Sequence, residues 1–311
     1  MGIEITGWGK CIPPTVLKNK DLENFIDTSD DWIVTRTGVR ERRISHMTVS
    51  DMGTVAAQHA LASANKNPED IDAVMMATCT PEYSIPSTAS KVQLNIGNKT
   101  AAAFDINSAC TGFVYGLTTA YGLIANKVMK NILLVGSEKV SFFIDWGERD
   151  TAVLFGDGCG AVVVSATDEK KGILSTHLHS QGKYAKELWI ETPSAQMYPR
   201  LTNQMVEEGR HHLKMNGREV FKQAVRRFPE VIQECLDHNN LKPSDISLFL
   251  PHQANIRINN IVQKNLGLKD NQILNNIDKY GNTTSATIPI LLTEAYKNDM
   301  IHDGDFVLMA A

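Results

Sequence analysis

Short, unbroken apolar runs recur along this chain, at residues 73–77, 132–135, 161–164, 248–250 and 306–309. Runs of this length that do not alternate with polar residues read as strands covered on both faces. Stretches with helical spacing lie between them. In the longest, residues 219–236, Val220, Phe221, Ala224, Val225, Phe228, Val231 and Ile232 fall on one side. Arg218, Lys222 and Arg226 step by four along the other, as a positive stripe. Pro229 is expected to kink this helix. Strands alternating with helices predict α/β layers around mostly parallel sheet.

The same order of signals occurs twice, at an offset of about 170 residues. Gly2-Ile3 opens one half and Gly172-Ile173 the other. Pro68-Glu-Asp70-Ile71 precedes a strand at 73–79, and Pro243-Ser-Asp245-Ile246 one at 247–250. Val92-Gln-Leu-Asn95-Ile-Gly97 recurs as Val262-Gln-Lys-Asn265-Leu-Gly267, each with a glycine to end a helix. Strands are then expected at 101–106 and 272–277, followed by turns at Ala109-Cys110 and Tyr280-Gly-Asn282. This predicts two duplicated halves, 1–171 and 172–311, about a pseudo-twofold axis, with Cys110 and Asn282 brought together. The first half continues through Phe155-Gly-Asp-Gly-Cys-Gly160 into a strand at 161–165. The second stops at Ala311, short of a counterpart loop and last strand. The glycine cluster Gly156, Gly158 and Gly160 matches neither GxGxxG nor Walker A, and reads as a turn packed against a neighbouring backbone.

Composition narrows the class. With 31 Lys and Arg against 35 Asp and Glu, the net charge is −4, which argues against a general nucleic-acid binder. No apolar run is long enough to span a membrane. The first residues read as a core strand rather than a secretory signal, although Met1-Gly2 fits the loose myristoylation pattern. The five cysteines are widely spaced with no CxxC pair, so neither a structural zinc site nor a disulfide framework is expected. A reduced, cytoplasmic protein is the simplest reading.

The chemistry gathers at strand ends. Cys110 follows a predicted strand and opens an apolar helix, where unsatisfied N–H groups and the helix dipole favour a thiolate. Pro251-His252-Gln-Ala-Asn255 directly follows another strand, the position where open parallel sheets bind ligands. Cys, His and Asn suit a papain-like protease, but no papain-like motif surrounds the cysteine and the duplicated architecture is wrong. They also suit acyl transfer with carbon–carbon bond formation, in which Cys carries the acyl group while His and Asn donate to a thioester oxygen. Trp32 and Arg36, four apart on a helix, can stack on a flat ring, and nearby arginines can bind phosphate, as a nucleotide-containing thioester would require.

These motifs together, with the run at residues 28–43, Ser108-Ala-Cys110-Thr-Gly-Phe, Phe155-Gly-Asp-Gly and Tyr280-Gly-Asn282-Thr, resemble β-ketoacyl-[acyl carrier protein] synthase III over essentially the whole chain. Cys-His-Asn separates that family from the Cys-His-His synthases. The resemblance implies a thiolase fold, five-layered αβαβα, and a homodimer. It implies condensation of a short acyl-CoA, acetyl-CoA first, with malonyl-[acyl carrier protein] to start fatty acid synthesis, with no metal and no other cofactor. Cys110 would be the acylated nucleophile, and His252 and Asn282 the pair that supports decarboxylation. Trp32, Arg36 and Arg149 would contact the adenine and phosphates of coenzyme A. Thr28, Phe221 and Asn255 would line the channel. Lys222, Arg257 and Lys264 would dock the acidic carrier protein.

Three departures stand out. The family continues past the strand ending at Ala311 into a glycine-rich loop that supplies a second oxyanion N–H. Ile85 stands where many relatives carry Phe, at the cap of the partner's acyl pocket, and a smaller side chain there could admit more than acetyl. Arg218 stands where an Asn contacting the cofactor arm is common. Two other readings remain open: a specialised relative using another starter for a polyketide or signalling product, and a non-catalytic acyl-binding or scaffold protein.

Overall fold

A computed structural model describes residues 2–169 and 171–311. Among the described residues, the first half runs β1 (Gly2–Cys11), β2 (Thr15–Lys18), α1 (Asn19–Leu22), α2 (Asp30–Thr37), β3 (Glu41–Ile44), α3 (Val49–Ser63), β4 (Ala73–Ala77), α4 (Thr88–Asn95), β5 (Ala102–Ile106), α5 (Gly112–Ala125), β6 (Asn131–Glu138), α6 (Arg149–Ala152) and β7 (Gly158–Thr167). The second runs β8 (Leu188–Trp189), α7 (Asn203–Glu207), β9 (Lys214–Met215), α8 (Gly217–His238), β10 (Leu248–Pro251), α9 (Ile256–Leu266), α10 (Ile277–Tyr280), α11 (Thr287–Lys297) and β11 (Val307–Ala310).

The apolar runs become the strands of two sheets. One has the order β1-β7-β6-β4-β5, the other pairs β10 with β11. The first is mixed: β5, β4 and β6 pair parallel, while β7 runs antiparallel to both its neighbours, β6 and β1. Alternation along each strand then sets the layers. Val74, Met76, Leu133, Val135, Ala161 and Val163 face one way, into a core with α3 and α4. Ala73, Met75, Ile132, Leu134, Val162 and Val164 face the other, into a core with α5 and α11. Leu248 and Leu250 close that core from the far side, whereas Phe249, Leu308 and Ala310 turn outward to α8 and α9. The stacking is therefore α3/α4, sheet, α5/α11, sheet, α8/α9. Strands buried on both faces carry no polar alternation, which is why their sequence signal was a continuous run.

One local expectation changes. Residues 272–277 form no strand; only Ile273 bridges to Phe249, and the Leu274 N–H donates to Phe249 O at 3.1 Å. Beyond that, the Gln253 side chain replaces the ladder, its Oε1 accepting from Asn276 N and Ile277 N at 3.1 Å each. Pro229 lies inside a single helix, α8. Gly97 and Gly267 end their helices with φ of 86° and 67°, as the repeated motif required.

Candidate active site

Cys110 sits where β5 hands over to α5. Ala109 takes φ 45°, a left-handed conformation rare for a residue with a side chain, and a 3₁₀ turn over Ala109–Thr111 leads into the helix. A Cβ on Gly112 would stand 3.2 Å from Ala77 Cβ and 3.4 Å from Ser285 Cβ, so glycine lets this turn settle against both the end of β4 and Ser285. The thiol is not held as a thiolate. Burial pushes Cys110 up to about 12, with the nearby Glu138 carboxyl adding to the rise when it is ionised, while a backbone hydrogen bond and the Asn282 amide oppose it. A helix N-terminus stabilises an anion by about 0.3–1 kcal/mol. The rise in Cys110 corresponds to roughly 4 kcal/mol, so desolvation wins.

Asn282 is fixed through its backbone and its side-chain oxygen. Its N–H donates to Leu154 O at 2.8 Å, its carbonyl accepts from Gly156 N at 3.1 Å, and Oδ1 accepts from Thr284 N at 2.8 Å. The amide NH2 is thus the end presented to Cys110. A 3₁₀ turn over Thr284–Ala286 follows and packs against the Cys110 turn.

His252 leaves the end of β10, with its N–H donating to Ala310 O at 2.8 Å as an extension of the β10–β11 ladder. Its Nδ1 lies 2.7 Å from Thr287 Oγ1. Its Nε2 is buried with no protein partner. Burial lowers the imidazole to about 4, so it is neutral at neutral pH. All three groups therefore attach to one small body, the segment 282–287: Cys110 packs on it, Asn282 opens it and His252 is held by Thr287.

The remaining residues form two further regions. Ser29 caps α2 by accepting from Trp32 N at 3.1 Å. The Arg36 and Arg149 guanidiniums lie over the Trp32 ring at 4.6 and 4.5 Å. Arg149 Nη1 also donates to Asp27 O at 3.1 Å, and the Thr28 hydroxyl is buried without a partner. Next to this, Gly38 packs on Ile256 of α9. Asn255 caps α9, its oxygen accepting from Arg257 N at 2.9 Å. The Arg257 guanidinium lies 5.3 Å from the Phe221 ring, joining α9 to α8. Lys222 and Lys264 are exposed nearby on those helices. The stripe on α8 is weaker than its sequence suggests: Arg226 is tied to Glu230 at 3.1 Å and Lys222 lies 3.6 Å from Glu219.

Ile85 stands apart from these groups, 87% exposed on the loop before α4. A groove of about 580 Å³ opens beside Thr111, Val114, Phe228 and Ala311, but its lining includes none of Thr28, Phe221 or Asn255. Among the described residues, no group of three His, Cys, Asp or Glu side chains is gathered to hold a metal. No helix among them is long and apolar enough to cross a membrane.

Sequence reasoning missed Glu138, a carboxyl buried at the end of β6 that touches Ser285, Thr80 and Cys79. The available signal was a carboxylate closing an apolar run.

Residues 104–182 match the family profile of 3-Oxoacyl-[acyl-carrier-protein (ACP)] synthase III, and residues 236–311 match its C-terminal counterpart. The chain is 46% identical over 308 residues to Beta-ketoacyl-[acyl-carrier-protein] synthase III 2 of Vibrio vulnificus strain YJ016, covering 99% of this chain and 84% of that protein. The crystal structure of 3-oxoacyl-[acyl-carrier-protein] synthase III from Aquifex aeolicus VF5 superposes with a TM-score of 0.92 at 43% identity, over 99% of this chain and 95% of that one. The priming beta-ketosynthase of the R1128 polyketide pathway superposes with a TM-score of 0.88 at 30% identity, over 99% and 91%.

Proposed function

This chain belongs to the 3-oxoacyl-[acyl-carrier-protein] synthase III family, with the thiolase fold, and on that premise we propose that it condenses a short acyl-CoA, acetyl-CoA first, with malonyl-[acyl carrier protein] to start fatty acid synthesis. The observation that carries this reading is the gathering of Cys110, the Asn282 amide and the unpartnered Nε2 of His252 on the segment 282–287.

In the first half-reaction, Cys110 Sγ attacks the thioester carbonyl and the thiol proton leaves with coenzyme A. The N–H groups of the turn at Cys110 face the developing oxyanion. In the second, malonyl-carrier protein loses carbon dioxide. The Asn282 NH2 and His252 Nε2–H donate to the thioester oxygen as it becomes an enolate. That tautomer requires the Thr287 hydroxyl to turn its proton from Thr284 O, 3.1 Å away, to His252 Nδ1 at 2.7 Å. The enolate carbon attacks the acyl-Cys110 carbonyl, the product leaves on the carrier protein, and the Cys110 sulfur recovers a proton. The reaction as written needs no metal or redox group.

Trp32, Arg36 and Arg149 are assigned to the adenine and phosphates of coenzyme A. The flat indole between two guanidiniums supports this, because an adenine can replace one of the stacked cations. Thr28, Phe221 and Asn255 are assigned to the pantetheine channel. Lys222, Arg257 and Lys264 are assigned to the carrier-protein dock, supported by their exposure on adjoining helices. Residues 1–171 and 172–311 are the two duplicated halves, and the five free cysteines fit the reducing cytoplasm.

The test is intact-protein mass spectrometry after incubation with acetyl-CoA, beside Cys110→Ala. One acetyl group is expected on the wild type only, discharged by malonyl-carrier protein at a rate that falls with added salt. Absence of the adduct with acetyl and with longer acyl-CoA thioesters would sink the reading. Transfer from longer thioesters alone would favour another starter, the reading raised by the small side chain at Ile85.

A further inference from the structure

Close to Cys110 lies a carboxyl group that the chemistry above does not use. Glu138 ends β6 and is fully buried, and among the described residues no ion pair includes it. Its Oε1 lies 2.7 Å from Ser285 Oγ. Its Oε2 lies 2.7 Å from Thr80 Oγ1 and 3.2 Å from Thr78 Oγ1. The Cys79 N–H reaches both oxygens at 3.1 Å, and Cys79 Sγ stands 3.4 Å from Oε2.

Counting protons decides the state of this group. Ser285 has one hydroxyl proton and two partners, Ala77 O at 2.9 Å and Glu138 Oε1 at 2.7 Å. A carbonyl only accepts, so the serine proton belongs to Ala77 O. The shorter contact is then filled only when the acid donates to Ser285. On the other side, Thr80 Oγ1 accepts from Lys139 N at 3.0 Å and has its own proton free for Oε2. One oxygen donates and the other accepts; Thr284 Oγ1, beside the same carboxyl, is the hydroxyl of this cluster left without a partner.

We propose that Glu138 is a neutral carboxylic acid in the resting protein and the positioning residue of this site, its proton pinning Ser285 and so locking the ends of β4 and β6 to the turn that follows Asn282. The inference rests on the reading of Cys110 as nucleophile. Ser285 bonds the last residue of β4, and a Cβ on Gly112, the first residue of α5, would touch both Ala77 and Ser285. The knot therefore sets how the Cys110 half meets the Asn282 half. Neutrality also spares the acyl-transfer step a buried anion beside a sulfur that must become negative. Burial, which raises the Glu138 carboxyl above the usual range, acts in the same direction.

Infrared difference spectroscopy of wild type against Glu138→Gln at neutral pH tests the protonation. Gln keeps the pattern, since its NH2 donates to Ser285 and its oxygen accepts from Thr80. The wild type is expected to show the C=O stretch of a protonated carboxyl that the variant lacks. The rates of Cys110 alkylation by iodoacetamide at pH 7 are expected to coincide in the two proteins. A missing band overturns the proposal. So does a Glu138→Gln rate at pH 7 higher by about tenfold or more, because a carboxylate charge would then have faced the thiol. The positioning role is tested by Ser285→Ala, which removes the pinned group. Turnover is expected to fall at least about tenfold with KM for acyl-CoA unchanged; unaltered turnover overturns that role. If wild-type Cys110 accepts no acyl group from any thioester, the functional reading fails, while the band and the alkylation rate at pH 7 still judge Glu138.

Discussion

Burial acts on Cys110 and His252 in the same sense, toward the neutral form, and for His252 this links the site to stability. The imidazole is held near 4 in the fold, while an exposed histidine in the unfolded chain takes its proton at about 6.5. Above that higher value both states are neutral and the full stability is present. As pH falls from about 6.5 to about 4, the unfolded chain gains a proton that the folded one refuses, and roughly 3 kcal/mol is lost. Glu138 works in the opposite direction, so the comparison needs a variant at His252 alone. The urea midpoint of the wild type is expected to drop more steeply across this window than that of His252→Asn. Parallel slopes would show that the imidazole titrates as if exposed.

At the scale of elements, the site depends on how closely the first turn of α11 approaches the strand ends. A Cβ on Gly160 of β7 would lie 2.7 Å from Ile290 N and 2.8 Å from Pro289 Cβ; one on Gly156 would lie 2.3 Å from Tyr280 O. The first contact involves α11 backbone, which has no rotamer to move aside. Gly160→Ala is therefore expected to destabilise the protein by about 1–3 kcal/mol, read as a lowered denaturant midpoint. An unchanged midpoint would mean that α11 shifts freely. The glycine cluster could be read from sequence as a close approach because its spacing fits no phosphate loop. The strands were legible for a related reason, since residues such as those of β4 are covered on both faces and leave an unbroken apolar run. The segment 272–277 was not legible, because a side chain from elsewhere, Gln253, supplies the hydrogen bonds that a neighbouring strand would. Nor could periodicity show that Arg226 is tied to Glu230, or that burial at Cys110 outweighs the helix terminus. Spacing gives the neighbours along one element; desolvation depends on all that surround it.

At the scale of the whole molecule, β5 is the edge of the large sheet and runs directly into the Cys110 turn. The Ala102 N–H is used inward, donating to Asp72 O at 3.0 Å, so by alternation the Ala103 N–H points to the open edge. An open edge bearing apolar residues invites pairing with another copy. Phe142 and Ile85, 74% and 87% exposed, add apolar surface outside the core. A twofold axis relating two such edges would pair β5 with the partner's β5 antiparallel, and would carry both Cys110 turns to the interface. The protein is accordingly expected to be a homodimer in which each Cys110 turn is braced by the second copy. Ala103→Pro removes one outward donor while leaving the inward β4 ladder intact, and proline is tolerated at a sheet edge. Sedimentation equilibrium should show a dimer for the wild type and a lower association constant for the variant, with slower acetylation of Cys110 at low protein concentration. A monomeric wild type that acetylates at full rate would assign the β5 edge to solvent and leave the Cys110 turn to be held by its own chain alone.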